Sequence, residues 1–535
     1  MPDAHESSAA SPSTWRSRLA RPLVPRLIAL AAVVIWVVSK VLEGAELAPP
    51  AEAFLARIAG VALAAALIFV WFVLLSSAPR RARTIVGMLG VGGLLALVAT
   101  VQVDNVSGDI MPKFKLRWAP RADETLPNVS DRSAADTAVD LTQTTPEDYP
   151  QFLGPGRLAT LPEFPFARDW SAQPPRLLWR QPIGAGWASF AVVGHFGVTQ
   201  EQRGEDELIS CYDIDTGKLE WAQATPVRFA ETVAGIGPRS TPTIDEGRVY
   251  AMGALGNLAC LDGATGKPLW QHDVIKDNDA VVPKWGKSCS PLVYENLVIV
   301  SAGGPKGHSL VAYDKQTGDV VWNAGDDASS YSSPTALTLH GQKQIVIVNQ
   351  KMVTAHDPSD GHILWQHAWP EALAESPNVS QPLAVGDDRV LLTKGYGVGS
   401  ALWQIERDGD TWSVEPLWKN RNLKTKFTNA VVRDGHAYGL DENVLCCIEI
   451  ATGKRKWIEG RYNHGQVLLA GDLLVVQSET GDVALVEASP EGYRELTRFT
   501  AVEGQSWNYP VISGRKLLVR TELEAACYEL PMASP

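Results

Sequence analysis

Arg239, Tyr331, Asn429, His464 and Trp507 are the residues of this chain whose types could together hold a ligand. A guanidinium and an imidazole pair with an anion, a carboxamide reads a polar edge, and a phenol and an indole stack on a planar face. Each sits in a short phrase that recurs, as Arg239-Ser-Thr-Pro242, Ser288-Cys-Ser-Pro291, Tyr331-Ser-Ser-Pro334, Val379-Ser-Gln-Pro382 and Trp507-Asn-Tyr-Pro510. Trp187-Ala-Ser-Phe190, Phe427-Thr-Asn-Ala430 and His464-Gly-Gln-Val467 fill the remaining phases. The phrases give two rows: Ser189, Thr241, Ser290, Ser333, Gln381, Asn429, Gln466 and Tyr509, and, two residues earlier, Trp187, Arg239, Ser288, Tyr331, Val379, Phe427, His464 and Trp507. Neither row holds a carboxylate, whereas a hard cation needs oxygen ligands that usually include one and proton abstraction needs a base. Glu231, Asp277, Asp279, Asp326 and Asp327 are loop acids that could reach in, and Lys287, Lys424, Lys426 and Arg461 fall near the same phrases. The simpler reading is a polar row lining a watered channel, with the charges in solvated loops.

The elements that position these rows are set by a second repeat. An acidic residue, a Gly four positions on and a Trp four further occur at Asp213/Gly217/Trp221, Asp262/Gly266/Trp270, Asp314/Gly318/Trp322, Asp357/Gly361/Trp365 and Glu449/Gly453/Trp457. A short apolar run, an acid that bonds amides two residues on, a Gly that supplies φ > 0 and a second short run make a β-hairpin. The Trp lands at one place in every unit, where it packs between neighbours as a flat spacer with a polar edge. Successive glycines lie 49, 52, 43 and 92 residues apart, and the double step hides the longer hairpin Trp403 to Trp418. Periods of this size built from short strands indicate propeller blades of four strands each. With the opening phrases they number eight. The last blade, from about Ser506 to Leu530, has no final Trp strand, and the stray Arg176–Gln181 supplies it, closing the ring and removing two sheet edges.

A net charge of -12 excludes nucleic acid as a partner, because its phosphates would be repelled. Cys211, Cys260, Cys447 and Cys527 lie two residues before the acidic position, a slot that Ala312 and Ala355 share, so they read as free, buried thiols. Ahead of the repeats, apolar runs at about 27–42, 54–75 and 84–103 approach the roughly 20 residues that span a bilayer. Basic residues cluster at Arg16, Arg18, Arg21 and Arg26 and again at Arg80, Arg81 and Arg83. The positive-inside rule then sets the N-terminus in the cytoplasm and everything after about Asp104 on the far side. Gly87, Gly90 and Gly93 suit close helix packing. From about Met111 to Asp148 there is no hydrophobic periodicity, which reads as a tether. The expected organisation is a cytoplasmic segment (1–22), a membrane domain of three helices (23–104), a flexible extracytoplasmic linker (105–150) and an eight-bladed propeller (151–535), an all-β fold behind three transmembrane α-helices.

The Asp-x-x-Thr-Gly-x-x-x-Trp units, over about 176–530, resemble the pyrroloquinoline quinone (PQQ) propeller repeats. The phrase Tyr149-Pro-Gln-Phe-Leu-Gly-Pro-Gly-Arg157 and the run Gly237–Trp270 also resemble bacterial PQQ-like repeat proteins without an assigned activity. The resemblance implies one of two functions: a quinoprotein dehydrogenase holding PQQ with calcium or a lanthanide, or a non-enzymatic scaffold like that of the outer-membrane β-barrel assembly machine. Fold alone does not choose between them. The first cysteine is Cys211, so the N-terminal lipid of the assembly scaffold is absent and membrane helices stand in its place. The carboxylate-free rows favour a scaffold for envelope or membrane proteins, held in the bacterial inner membrane with its propeller in the periplasm. A PQQ-dependent alcohol or sugar dehydrogenase is the alternative, and a small-molecule sensor the third. The ligand contacts would be Arg239, Tyr331, Asn429, His464 and Trp507 at the channel mouth; no catalytic or metal-binding residue is assigned.

Overall fold

The computed structural model describes residues 23–44, 50–127, 129, 139–370 and 376–533, in two compact units, Met1–Ala119 and Pro120–Pro535. The expected cytoplasmic segment 1–22, with Arg16, Arg18 and Arg21, lies outside the described residues.

In the first unit, helices α1 (Leu23–Gly44), α2 (Pro50–Leu75) and α3 (Arg80–Thr100) contain three stretches long and apolar enough to cross a membrane, Leu23–Val41, Ala56–Leu75 and Arg80–Thr100. The α2–α3 corner is fastened by Arg83, whose guanidinium donates to the Val73 and Leu74 carbonyls at the α2 end, each at 2.7 Å. Gly87 faces Val73 and Gly90 lies under the Phe69 ring, whereas Gly93 meets nothing within 4 Å. Six residues of helix turn Gly93 about 120° away from Gly87, so the three glycines do not share one contact. Val101–Val106 and Pro112–Leu116 then form an antiparallel hairpin, with Lys115 paired to Asp104 at 2.7 Å.

The second unit is an eight-bladed propeller, each blade a four-stranded antiparallel sheet. Blade 1 runs from Ala191–Val193 to Leu219–Thr225, blade 2 from Thr243–Asp245 to Pro268–Asp273, and blade 3 from Leu292–Tyr294 to Val320–Ala324. Blades 4, 5 and 6 open at Thr335, Leu383 and Val431. Blade 7 opens with Gln466–Ala470, and blade 8 comprises Val511–Ser513, Lys516–Arg520, Glu524–Glu529 and the early strand Arg176–Pro182. That early strand pairs antiparallel with Glu524–Glu529, and Arg180 and Arg176 add ion pairs to Glu524 (2.5 Å) and Glu529 (2.6 Å). Ring closure thus joins residues near the two ends of the unit.

The repeat has a second layer of meaning in three dimensions. Asp213 Oδ1 accepts the N–H groups of Asp215 and Thr216, and Gly217 N–H bonds the Asp213 carbonyl at 2.8 Å. The glycines take φ of +73° to +81° at Gly217, Gly266, Gly318 and Gly361, which a Cβ would strain. They are also the floor for a neighbour's tryptophan: an added Cβ at Gly266 would stand 2.6 Å from Trp221, and one at Gly361 2.5 Å from Trp322. Each indole caps the next blade's turn with a hydrogen bond, Trp221 to Gly263 (2.9 Å), Trp322 to Pro358 (2.9 Å), Trp418 to Ile450 (2.9 Å) and Trp457 to Ser489 (2.8 Å). Trp365 departs from the pattern and bonds Gln344 instead (2.7 Å), because the turn it would meet is the long hairpin of blade 5. All six cysteines are buried and free.

The linker expected over 105–150 is, where described, structured. Asp123 is buried and paired with Arg228 at 2.8 Å, and its carbonyl accepts Gly204 N–H. Val139 and Leu141 join the apolar core between blades 1 and 2. Leu141, Glu147 and Asp148 accept N–H groups from Gly247, Gly514 and Gly194, the tight turns on the lower face of blades 2, 8 and 1. Contacts made through single side chains and carbonyls leave no periodic trace in a sequence, which is why the segment read as a tether. Residues 128 and 130–138 lie outside the described residues.

Candidate functional site

Eight innermost strands converge on the propeller axis, and the first row of residues there ties them together. Ser189 N–H donates to Thr241 Oγ1 (3.0 Å), Thr241 N–H to Ser290 Oγ (2.9 Å), Ser290 N–H to Ser333 Oγ (2.9 Å), Ser333 N–H to Gln381 Oε1 (2.8 Å) and Gln381 N–H to Asn429 Oδ1 (2.6 Å). Asn429 N–H passes over blade 7 to the Tyr509 hydroxyl (2.5 Å), and Ser189 Oγ closes the circle on the Tyr509 carbonyl (2.5 Å). Gln466, at the skipped step, donates to the Phe427 and Trp507 carbonyls at 3.0 Å. A short acceptor side chain at the start of each strand satisfies the N–H of its neighbour, which is why Ser, Thr, Asn and Gln recur here. The eight residues are at most 5% exposed. The expected watered channel is therefore a closed, hydrogen-bonded belt.

Below the belt the axis is filled by the chain itself. The phrase Tyr149–Arg157 and the strand Thr160–Leu161 run under the ring: Tyr149 bridges to Val192 of blade 1, the Pro150 carbonyl accepts Ile244 N–H of blade 2, and Thr160–Leu161 pairs in parallel with the innermost strand of blade 7. Phe152 stacks edge-on against Tyr509 at 5.7 Å. Arg157 is 1% exposed and donates to the carbonyls of Ser290 and Pro291 of blade 3, each at 2.9 Å, where burial pulls its guanidinium down to about 10, still charged at neutral pH. In the sequence this phrase marks only a resemblance. Its Gly-Pro-Gly core and lone Arg were the available signal for a folded-in plug.

Above the belt the second row forms a collar. Trp187, Trp507 and Phe427 lie in a continuous row of tilted rings, with centroids 4.6 and 4.7 Å apart and planes inclined by 39° and 43°, and His464 meets Phe427 at 5.4 Å. Opposite them Tyr331 stacks on Trp285 at 5.6 Å, and its carbonyl accepts the Ser288 hydroxyl at 2.7 Å. Arg239 bonds the Ala234 carbonyl at 2.7 Å, also reaches that of Gly237, and lies over the Phe229 ring at 4.3 Å. Burial lowers its guanidinium to about 10 and raises the Tyr331 phenol. Of the five expected ligand contacts, Arg239, Tyr331 and Trp507 are half-buried in the collar, His464 is buried beside Phe427, and Asn429 is held within the belt by Tyr509 and Gln381.

Two carboxyls in this region went unnoticed in the sequence. Glu479 accepts the Trp507 indole N–H at 3.0 Å, and Glu207, from blade 1, accepts Ala254 N–H of blade 2 at 3.0 Å. Burial pushes Glu207 up to about 7, against the weaker pull of that N–H and of the Arg239 charge. Four of the five loop acids are otherwise engaged: Glu231 accepts two N–H groups at 2.8 Å, Asp277 meets His272 at 3.3 Å, Asp326 accepts Gly307 N–H at 2.6 Å and Asp327 holds those of Lys351 and Met352. Lys287 is buried, its ammonium bonded to the Ser301 and Ala302 carbonyls and to Ser329 Oγ, and burial lowers it to about 8. Among the described residues no three His, Cys, Asp or Glu converge as metal ligands. The collar thus offers aromatic faces with Arg239 and with Lys426, whose ammonium lies over Phe427 at 5.4 Å, and its donor set does not fit a quinone paired with a hard metal ion.

A family profile described as "Outer membrane protein assembly factor BamB" (PQQ_2) matches residues 171–282 and 205–459, together more than half of the chain. The chain belongs to this PQQ_2 family. Within related sequences it is 29% identical over 206 residues to the quinoprotein alcohol dehydrogenase PedH of Pseudomonas putida, a match covering 34% of this chain and 29% of that protein. It is 24% identical over 257 residues to the outer membrane protein assembly factor BamB of Burkholderia pseudomallei, covering 46% of this chain and 62% of that one. In each case the match spans less than two thirds of the relative. A europium-containing methanol dehydrogenase shares the fold, with a TM-score of 0.51 at 13% identity over 70% of this chain and 90% of that one. The chain is thus similar in sequence both to a quinoprotein dehydrogenase and to an assembly factor.

Proposed function

We propose that this protein is a membrane-anchored, extracytoplasmic interaction scaffold that holds protein partners in the bacterial envelope. The observation that carries the reading is the sealed axis: belt and plug close the ring, and among the described residues the collar above gathers no cluster of three acidic, His or Cys side chains such as a quinone–metal centre would use. The family match to an assembly factor points the same way. Basic residues at Arg26, Arg80, Arg81 and Arg83 on the proposed cytoplasmic side support an inner-membrane anchor with the propeller in the periplasm. We assign partner contact to Arg239, Tyr331 and Trp507 at the collar, with His464 and Asn429 holding the strands that carry them. Half-buried Trp, Tyr and Arg are the residue types that dominate protein interfaces.

The test uses the purified full-length protein mixed with PQQ and either calcium or a lanthanide. The expected outcome is no quinone absorbance after desalting and no reduction of an artificial dye with alcohols or sugars. Metal-dependent turnover would replace the scaffold with the dehydrogenase reading that kinship to PedH keeps in view. Quinone retention without turnover would make the protein a sensor, with Arg239→Ala weakening retention by about 1.5–3 kcal/mol.

A further inference from the structure

A cavity lies away from the axis, between blades 1 and 2. It measures about 230 Å3 and is walled by Ile209, Leu258 and Ala259 on its apolar side and by Gln200 and Glu207 on its polar side. Both polar groups are nine-tenths or more buried. Gln200 directs its Nε2 hydrogens to the Ser240 and Met252 carbonyls (2.7 and 3.3 Å), an arrangement that fixes the amide orientation and leaves Oε1 as an acceptor. Glu207 Oε2 takes the Ala254 N–H, and no protein group among the described residues donates to Oε1. That oxygen comes so close to Gly253 that any side chain there would displace it. Thr225, Asn257, Gln271, His272 and Asp273 complete the polar lining, and no Lys or Arg is in it, so the Glu207 carboxylate faces the cavity without a counter-charge in its wall.

The geometry points to a binding site for a small primary ammonium compound, its N–H groups on Glu207 Oε1 and Gln200 Oε1 and its alkyl stem against Ile209, Leu258 and Ala259. An ammonium brings three donors and one charge, matching the acceptors offered. A divalent cation fits poorly, since it would ask for six or more oxygens and gains nothing from the apolar wall. The size sets the scale of the ligand, because drug-sized molecules occupy about 300–1,000 Å3. The other charged groups facing the site are accounted for. Arg239 is held by the Ala234 and Gly237 carbonyls, His272 by the Gly318 carbonyl (2.8 Å) and Asp277 (3.3 Å), and Asp273 caps Lys276 N–H (3.0 Å) at the exposed mouth. This site is independent of the scaffold reading, since it uses no collar residue.

The experiment measures binding of propylammonium chloride to the full-length protein in detergent by calorimetry and by thermal shift, at about pH 8.5 and about pH 5.5, with sodium propionate and 1-propanol as charge controls. Glu207 sits near 7, so the ionised form that binds an ammonium is present at the higher pH and lost at the lower. Affinity is expected to be about tenfold or more higher at the higher pH, absent for the controls, and reduced about tenfold or more at that pH in Glu207→Gln. No binding at the higher pH, equal binding of propionate or 1-propanol, or wild-type affinity in Glu207→Gln would each show a water-filled cleft only. If Glu207→Gln does not fold, the two-pH comparison on the wild-type protein decides alone: a pH-independent affinity overturns the proposal.

Discussion

At the lower end of the axis the ring is filled by the chain's own Tyr149–Leu161 segment, whereas at the upper end it is lined by side chains of the blades. The lower end carries backbone strain: Leu153, Arg157 and Ala159 all take left-handed φ of +50° to +61°, a conformation that costs of order 1–3 kcal/mol at a non-Gly residue. It recovers this through a buried guanidinium, main-chain pairing with blades 1, 2 and 7, and an aromatic contact to Tyr509. The upper end has its aromatic rings half-open and its one collar arginine held only by carbonyls and a ring face. The difference sets Arg157 apart as a structural residue and leaves Arg239 as the arginine proposed for recognition, though both lose basicity to burial.

The sharpest way to break the comparison is to truncate both arginines. Arg157→Ala should lower unfolding stability by about 3–5 kcal/mol, as a large-to-small core change that also strips two buried carbonyls of their donors. Arg239→Ala should lower it by less, about 1–2 kcal/mol, because its half-exposed position lets water reach the carbonyls it leaves. Urea midpoints read by tryptophan fluorescence measure both, and similar losses would erase the distinction between the two ends.

A smaller effect separates the ends by pH. Below about pH 4.5 the Glu207 carboxyl is protonated in both the folded and the unfolded chain. Between there and 7 it ionises only in the unfolded chain, so its contribution to stability falls as pH rises. The expected loss is on the order of 2–3 kcal/mol over that window, and Glu207→Gln should remove that part of the decline. Parallel stability curves for the two proteins would show that the carboxyl is not held neutral. Arg157 does not titrate in the same window, so this slope belongs to the upper side alone.

The belt between the ends should be less sensitive than the plug. Tyr509→Phe removes the hydroxyl that accepts Asn429 N–H and leaves a buried donor unmet, a cost of about 1–3 kcal/mol. Its ring contact to Phe152 is unchanged, so thermal melting should move while the plug stays protected from protease. Loss of that protection would mean that belt and plug are one cooperative piece.

What the sequence determined by itself was local geometry and its repetition. The Asp, Gly and Trp of each unit sit within nine residues, and their turn chemistry fixes a hairpin, so spacing alone counted eight blades and found the Arg176–Gln181 strand that closes them. The apolar runs likewise marked the three helices. Of the candidate site, the two rows were legible as rows because they repeat in phase, but not what each row does. Whether Ser189 faces water or its neighbour's N–H depends on the approach of strands from different blades, and its partners Thr241 and Tyr509 are 52 and 320 residues away. The plug is the same case: Arg157 meets carbonyls more than 130 residues on, and nothing periodic announces it. Glu207 and Glu479 reached the upper face from strand ends outside the repeating phrase, as isolated carboxyls whose burial is set by how adjacent blades close on them. Short-range turn rules are written in spacing, whereas the chemistry of the axis and of the blade 1–blade 2 cleft arises only when the ring brings distant strands to one point.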